Sequence, residues 1–129
     1  MTSLERKVDN NELERWTFGI NANQLVELVL EGKKTATTYL YEGNEKYKEN
    51  DISILTDING NDVCLIQTKK IIITTFKNIT WDIAKLEGEN ISLEEWRKVH
   101  KDFFSKIDSS FNDDTEVIFE IFEVIEKFK

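Results

Sequence analysis

The sequence is poor in the side chains that form disulfides and bind soft metals. Its 129 residues include one cysteine, Cys64, and one histidine, His100. Cys64 has no second cysteine for an internal disulfide, and it lies in an apolar stretch, which predicts a buried, reduced thiol in a cytoplasmic protein. A structural zinc site takes about four cysteine or histidine ligands. We therefore expect no metal and no cofactor.

Long apolar runs are also missing. No segment approaches the roughly 18 consecutive apolar residues of a membrane-spanning helix. The opening stretch "MTSLERKVDNNELERW" is charged and lacks an apolar central region, so we expect neither a secretory signal nor a membrane partner. Residues 1–15 are polar and are predicted to form a loose arm on a single domain spanning residues 1–129.

Positive charge is scarce as well. The chain has 17 Lys and Arg against 25 Asp and Glu, a formal net charge of −8. Proteins that bind duplex phosphates draw most of their affinity from Lys and Arg, so we expect no duplex DNA partner. A local basic pocket would suit single-stranded RNA or a nucleoside-sized ligand better.

Two segments have the periodicity of helices. Apolar residues at 25, 26, 29 and 30 mark one helix, which Asn21 or Asn23 can cap at its start and Gly32 at its end. The other spans residues 93–107, behind a capping box formed by Ser92 and Glu95. A short third helix is predicted from Thr80 through Ala84.

Strand-forming residues fill much of the remaining chain. Residues 35–41 are rich in β-formers, and residues 51–76 predict a hairpin with its turn at Asn59-Gly60. Residues 116–128 fit a helix by spacing, but their β-branched and aromatic residues favour a strand. We expect an α+β fold, a small, mostly antiparallel β-barrel with two main flanking helices.

The stretch "EGKKTATTYLYEG" at residues 31–43 pairs lysines with hydroxyl side chains. It is not a phosphate-binding P-loop, because Glu27 stands where that motif has its first glycine and Lys34 where it has Ser or Thr. Lys34 and Thr37 can form a base and hydroxyl pair only if the chain bends between them. Otherwise the lysines complement a helix end and the threonines form a strand.

Three other groups of residues have both a functional and a structural interpretation. Glu87 and Glu89 flank a glycine and could supply acid–base chemistry or weak cation binding, or could be ordinary surface acids. His100 lies one helical turn after Trp96, where it lines a pocket or packs in the core. Likewise, the aromatic pair Trp16 and Phe18 forms a base-stacking platform or part of the core.

Several separated motifs together resemble one family. "GKKTATT", the "EGE" loop, "SLEEWRKVHKDFF" and the closing "VIFEIFEVI" occur in the order and spacing of ASCH-domain proteins, which belong to the PUA-like superfamily. "WTFG" and "ELVLEGKK" are similar to the longer, bacterial branch of that family. The resemblance spans about Trp16 to Ile125. It implies a β-barrel with a cleft that binds RNA or nucleosides.

The resemblance also implies roles for particular residues. The family pattern G-x-K-x-x-T-x-R is matched by Gly32, Lys34 and Thr37, whereas position 39 is tyrosine instead of arginine. Some small members of the family remove the acetyl group of N4-acetylcytidine with a lysine, a threonine and a glutamate. For this chain the resemblance implies Lys34, Thr37 and Glu89, in which Thr37 attacks or positions water, Lys34 is the base and Glu89 shuttles the proton.

The resemblance therefore implies a domain that binds RNA or a modified nucleoside; if the domain is an enzyme, the expected reaction is hydrolysis of an amide on a nucleobase. The alternatives are a non-catalytic RNA-binding or regulatory module and a ribonuclease. Arg97 is expected to replace the missing family arginine, and Glu87 is the second choice for the catalytic glutamate. The full set of expected substrate-binding residues is Gly32, Thr35, Tyr39, Glu87, Arg97, His100, Trp16 and Phe18.

Overall fold

A five-stranded sheet organises the computed structural model, which describes residues 12–43 and 48–128. Its strands are β1 (Arg15–Trp16), β2 (Ala36–Leu40), β3 (Ile52–Thr56), β4 (Asp62–Thr75) and β5 (Glu116–Lys127). They are arranged in the order β1-β3-β4-β5-β2, and only the β1–β3 pair is parallel. The mostly antiparallel sheet, the hairpin between β3 and β4, and the C-terminal strand are as predicted.

The sheet does not close into a barrel, contrary to expectation. β1 and β2 are its two edges and do not pair with each other. β1 contributes only two residues, and the start of β2 is covered by a turn, where the Thr35 N–H donates to the Leu86 carbonyl oxygen at 2.8 Å. Because a closed barrel needs every strand paired on both sides, these edges leave it open.

The first helix, α1 (Ala22–Leu30), ends as its sequence predicts. Gly32 has a φ of 77°, and the Lys33 N–H donates to the Leu28 carbonyl oxygen at 2.9 Å, which completes a Schellman cap. Asn21 lies at the N-cap position but makes no side-chain cap bond. The side chain of Asn23 instead accepts a hydrogen bond from the Ile58 N–H.

The main second helix is α3 (Leu93–Ile107), which follows the short helix α2 (Trp81–Ala84). The Ser92 half of the predicted capping box is confirmed, because the Glu95 N–H donates to the Ser92 hydroxyl oxygen at 3.1 Å. The Glu95 carboxylate accepts a hydrogen bond from the Asn90 side-chain amide at 2.9 Å. A single 3₁₀ turn, Lys85–Glu87, joins α2 to the loop before α3. A second one, Phe76–Asn78, ends β4.

Two hydrophobic clusters lie on opposite faces of β5. On one face, Phe122 packs with α1, β3 and β4. On the other face, Phe119 packs with Trp96 and Phe104 of α3. Alternate side chains of a strand point to opposite faces, so β5 contributes to both clusters. The sheet is thus covered by α1 on one side and by α3 on the other.

Three further predictions from the sequence concern the N-terminal arm, Cys64 and membrane-spanning segments. Residues 1–11 of the predicted arm lie outside the described residues, whereas Arg15 belongs to β1 and contacts Asp62 at 2.9 Å. Cys64 is fully buried, as predicted, and burial raises the pKa of its thiol to about 11. Among the described residues, no helix has the length and apolar character to cross a membrane.

Candidate active site

A cavity of about 440 Å³ is lined by both edge strands of the sheet and by α3. Its volume is typical of pockets that hold small molecules. Four of its ionisable lining residues are linked by ion pairs, and we call them the charged cluster: Lys34, Glu87, Glu89 and His100. The apolar wall includes Phe18, Leu25, Leu40, Val99, Phe103 and Ile107.

The two adjacent lysines after α1 have opposite environments. The side chain of Lys33 is 65 % exposed and contacts Glu31 at 2.9 Å. The side chain of Lys34 is 1 % exposed and lines the cavity. The prediction that Lys33 is solvated while Lys34 faces the cleft is therefore confirmed.

The Lys34 ammonium is held by two carboxylates. Its Nζ lies 3.1 Å from Oε1 of Glu87 and 2.9 Å from Oε2 of Glu89. It also lies 5.4 Å from the centre of the Phe18 ring. A buried charge is tolerated only when it is paired and hydrogen-bonded, and an aromatic face adds to the stabilisation of a cation. These contacts keep a positive charge in the floor of the cavity.

Glu87 is the centre of the charged cluster and is 2 % exposed. Its carboxylate accepts hydrogen bonds from the Thr38 hydroxyl at 2.8 Å and the Trp96 indole at 2.5 Å, and Oε2 lies 3.3 Å from Nε2 of His100. Burial by itself raises the pKa of Glu87, but Lys34, His100 and the Trp96 N–H outweigh it and lower this pKa to about 2. Glu87 is therefore an anchored, ionised carboxylate.

Gly88 gives the loop between the two glutamates its shape. It has a φ of 73°, and a Cβ at this position would overlap the carbonyl oxygen of Lys33. The loop thus packs against the backbone next to Lys34, which brings both glutamates to the same ammonium. The Glu89 side chain, at 22 % exposed, is the carboxylate more accessible from solvent.

The two threonines of β2 differ in their contacts with the charged cluster. Side chains alternate along a strand, and Thr38 bonds to Glu87 while Thr37 lies on the other side, opposite Glu120 in the register. Both residues line the cavity. Among the described residues, no hydrogen bond joins the Thr37 hydroxyl to Lys34. The hydroxyl bonded to the cluster belongs to Thr38, which was not among the predicted site residues.

A further buried carboxylate lines the cavity. Glu120 is 2 % exposed and accepts hydrogen bonds from the Thr68 hydroxyl at 2.8 Å and the Tyr39 hydroxyl at 3.4 Å. Tyr39 thus occupies the cavity wall, as predicted, but it bonds to an acid. A tyrosine and a carboxylate therefore stand where the family pattern supplies an arginine.

Two residues predicted to bind substrate, Gly32 and Thr35, are not part of the cavity lining and instead shape the backbone next to Lys34. Gly32 is part of the turn after α1. Thr35 donates its backbone N–H and its hydroxyl to the Leu86 carbonyl oxygen, at 2.8 and 3.3 Å. Both residues position Lys34 without lining the cavity themselves.

Arg97 does not replace the missing family arginine. Its guanidinium donates to the carbonyl oxygens of Phe76, Lys77 and Ile79, at 3.3, 2.8 and 2.8 Å. It also lies over the Phe76 ring, 5.8 Å from its centre. These bonds tie α3 to the 3₁₀ turn after β4, and Arg97 is absent from the described lining of the cavity.

Comparison with known proteins identifies the family of this chain. The sequence model of the ASCH domain matches residues 14–126. The chain belongs to the ASCH-domain family. The match covers all four members of the charged cluster, so the cavity is part of the family's domain.

Solved structures support this ASCH domain's fold. The ASCH domain from Lactobacillus crispatus JV V101 superposes with a TM-score of 0.82 at 23 % identity, covering 95 % of this chain and 91 % of that chain. Protein EF3133 from Enterococcus faecalis V583 gives a TM-score of 0.82 at 24 % identity, with coverages of 98 % and 92 %. A ZmASCH mutant protein from Zymomonas mobilis gives 0.55 at 11 % identity, with coverages of 91 % and 73 %. No curated protein matches the chain.

The aromatic residues near the start of this ASCH domain serve both the core and the cavity. Phe18 belongs to the cluster under α1 and also lines the cavity. Trp16 packs edge-on against Phe18, with ring centres 5.2 Å apart, and its indole donates to the Ser53 hydroxyl at 2.9 Å. The two interpretations of this pair are therefore compatible.

The position for a cation in this ASCH domain is taken by Lys34. Donor atoms of Glu87, Glu89 and His100 lie within 4.8 Å of one another, close enough to surround a metal ion. The Lys34 nitrogen, however, already contacts both carboxylates. We assign no metal ion to this group, because such an ion would have to displace a buried ammonium from its two partners.

Proposed function

We propose that this ASCH domain hydrolyses an amide on the base of a nucleoside-sized ligand, as in removal of the acetyl group from N4-acetylcytidine. ASCH domains are generally RNA-binding, and the resemblance in the "GKKTATT" and "EGE" motifs points to the hydrolytic members. The observation that carries the proposal is the buried Lys34 ammonium held by Glu87 and Glu89 at the floor of a cavity. A cation and an accessible carboxylate beside an apolar wall are the parts needed for acyl transfer.

The contacts of Lys34 assign it a role different from the expected base. Its nitrogen is already bonded to two carboxylates, so it acts as a fixed cation that stabilises the oxyanion of the tetrahedral intermediate. Glu89 accepts a proton of the attacking water, because it is the accessible carboxylate of the pair. Thr37 lines the same cavity from the other side of β2 and positions that water.

The charge of the cavity favours an amide over a phosphodiester as the reacting group. Among the described lining residues the acids are Glu42, Glu87, Glu89 and Glu120, whereas Lys34 and His100 are the bases. Phosphate groups would be repelled by this excess of carboxylates, and a ribonuclease would need cations aimed at the phosphate. A neutral nucleobase avoids this cost and can pack on the apolar wall.

This proposal can be tested by assaying the purified protein on N4-acetylcytidine, acetylated short RNA and unmodified short RNA. We expect release of acetate from the acetylated compounds and a fall in kcat of about 10²-fold or more in Glu89→Gln. Lys33→Met, which alters a solvated lysine beside the site, is the matched control and should keep the wild-type rate. RNA binding without turnover would instead favour the non-catalytic module, and cleavage of unmodified RNA would favour the ribonuclease.

A further inference from the structure

The hydrogen bonds of His100 determine where one proton of the charged cluster lies. Nδ1 is 2.9 Å from the carbonyl oxygen of Trp96, which can only accept, so Nδ1 carries a hydrogen. Nε2 is 3.3 Å from Oε2 of Glu87. One of these two atoms must also carry a hydrogen, because two lone pairs repel each other. Either His100 is an imidazolium or Glu87 is a neutral acid.

The other partners of Glu87 decide between these two states. Lys34, Thr38 and Trp96 all contact its carboxylate as donors, at 3.1, 2.8 and 2.5 Å. Each of these bonds favours the ionised carboxylate, so the shared proton belongs on His100. The cluster then holds two carboxylates and two cations, and its net charge of zero is the balance that burial requires.

The surroundings of the imidazole stabilise its positive charge. Burial lowers the pKa of His100, but the Glu87 carboxylate, the Trp96 carbonyl and the charge of Glu89 raise it above the ordinary 6.5. The ring stacks on Trp96, with centres 4.2 Å apart and planes at 22°. The charged groups that face it are Glu87 from the 3₁₀ turn, Glu89 from the following loop and, beyond both, Lys34 from the segment before β2.

We propose that His100 is the proton donor of the cavity and delivers its Nε2 proton to the leaving nitrogen of the amide. This inference rests on the proposed hydrolysis. His100 lines the cavity and its side chain is 11 % exposed, so a ligand can reach the ring edge. Nothing in the family resemblance assigned it this role, since the implied catalytic residues were Lys34, Thr37 and Glu89.

The reaction balances without a further co-reactant. A bond forms between the water oxygen and the acyl carbon while Glu89 takes one water proton. The carbon–nitrogen bond then breaks, and its electron pair accepts the proton of His100, so the products are a carboxylic acid and an amine. The proton on Glu89 returns to His100 across at most 4.8 Å, a distance that one water can bridge.

The charge state can be measured without any substrate. His100 is the only histidine of the chain, so its ring gives an unambiguous nuclear magnetic resonance signal. We expect the ring of the uniformly ¹⁵N-labelled wild-type protein to titrate with a midpoint above 6.5, so that both nitrogens have mainly protonated, imidazolium-type shifts at pH 6.5. A ring that is mainly neutral at pH 6.5 would overturn the proposal whatever the activity.

The donor role is tested by His100→Gln, which can hydrogen-bond but cannot release a proton. We expect kcat for the N4-acetyl amide to fall about 10²-fold or more and the alkaline limb of the pH profile to disappear. The loss should be under about 10-fold for an acetyl ester of a nitrophenol, whose leaving group needs no proton. Lys98→Gln, an exposed change on the same helix, is the control.

The outcomes separate this inference from the proposed function. Equal losses for amide and ester would show that His100 only maintains the site, and would refute the donor role. A wild-type protein that hydrolyses neither compound would refute the donor role together with the proposed function. A wild-type rate with an unchanged pH profile in His100→Gln would refute the donor role alone. Should this variant not fold, the ring signals of the wild type still decide whether the required imidazolium exists.

Discussion

Replacement of Lys34 by methionine is the most direct perturbation of the charged cluster. Met is similar in length to the aliphatic part of Lys, so the change removes the ammonium with little change in packing. Glu87 would then remain 2 % exposed without its closest opposite charge. Breaking a buried ion pair by removing one partner typically costs about 3–5 kcal/mol, and we expect Lys34→Met to lower the free energy of unfolding by that amount at pH 7.

The pH dependence of stability measures the net contribution of the ionised Glu87 carboxylate, to which Lys34, His100 and Trp96 all contribute. The pKa of Glu87 falls from an ordinary 4.5 to about 2 in the folded protein. A group with a lowered folded pKa stabilises the protein above its unfolded pKa, and this contribution is lost as the pH falls through the folded pKa. The depression corresponds to about 3 kcal/mol. The wild type should therefore lose stability between about pH 4.5 and pH 2.

Lys34→Met should behave differently in that pH range. Of the groups that lower the pKa of Glu87, Lys34 has the largest effect. Without it the carboxylate therefore protonates at higher pH. The difference in unfolding free energy between wild type and variant should shrink as the pH falls from 4.5 towards 2. Urea unfolding followed by tryptophan fluorescence at several pH values measures both quantities, since Trp96 is buried beside the cluster.

Lys33→Met provides the matched control for this experiment. It makes the same chemical change at the neighbouring residue, whose side chain is 65 % exposed. A surface change of this kind should alter the unfolding free energy by no more than about 0.5 kcal/mol. If Lys34→Met differed from wild type by as little as this control, or kept the wild-type pH dependence, the ion-paired cluster would not be the stabilising element described above.

Two further substitutions test the scaffold around the site. Gly88→Ala should lower the urea midpoint by more than Gly60→Ala, because both residues have positive φ but only the Cβ at 88 meets backbone atoms; equal shifts would contradict the close packing of the loop. Arg97→Met removes charge-assisted bonds to three carbonyl oxygens and should cost about 2–3 kcal/mol of stability, while ligand affinity measured by calorimetry stays unchanged. A large loss of ligand affinity in a folded Arg97→Met variant would show that Arg97 contributes to binding and would contradict this placement.

The family resemblance identified the region of the site, but not the contacts within it. Lys34 was predicted to face the cleft and does so. Glu87 was ranked below Glu89 as the catalytic glutamate. It is nevertheless the buried centre of the charged cluster, and Thr38, Trp96 and His100 all contact its carboxylate. Alternation along β2 suggests that one threonine of the pair faces the helix side, but the sequence does not say which.

Local chemistry, by contrast, was sufficient for most element ends. The glycine cap after α1, the Ser92 capping bond and the hairpin at Asn59-Gly60 each depend on residues within a few positions of one another. Such signals are complete in the sequence, because the hydrogen bonds that they describe are short-range. The C-terminal strand was predicted for the same reason, from the propensities of its own residues.

The open sheet, the placement of Arg97 and the composition of the charged cluster were decided by the tertiary structure. Lys34 and Glu87 are 53 residues apart, and Glu120 lies 81 residues beyond Tyr39. Whether two such side chains meet depends on how the strands pair and how the Gly88 loop packs against the backbone before Lys34. The sequence by itself determined which polar and charged side chains the chain contains, whereas long-range packing determined which of them contact one another in the cavity.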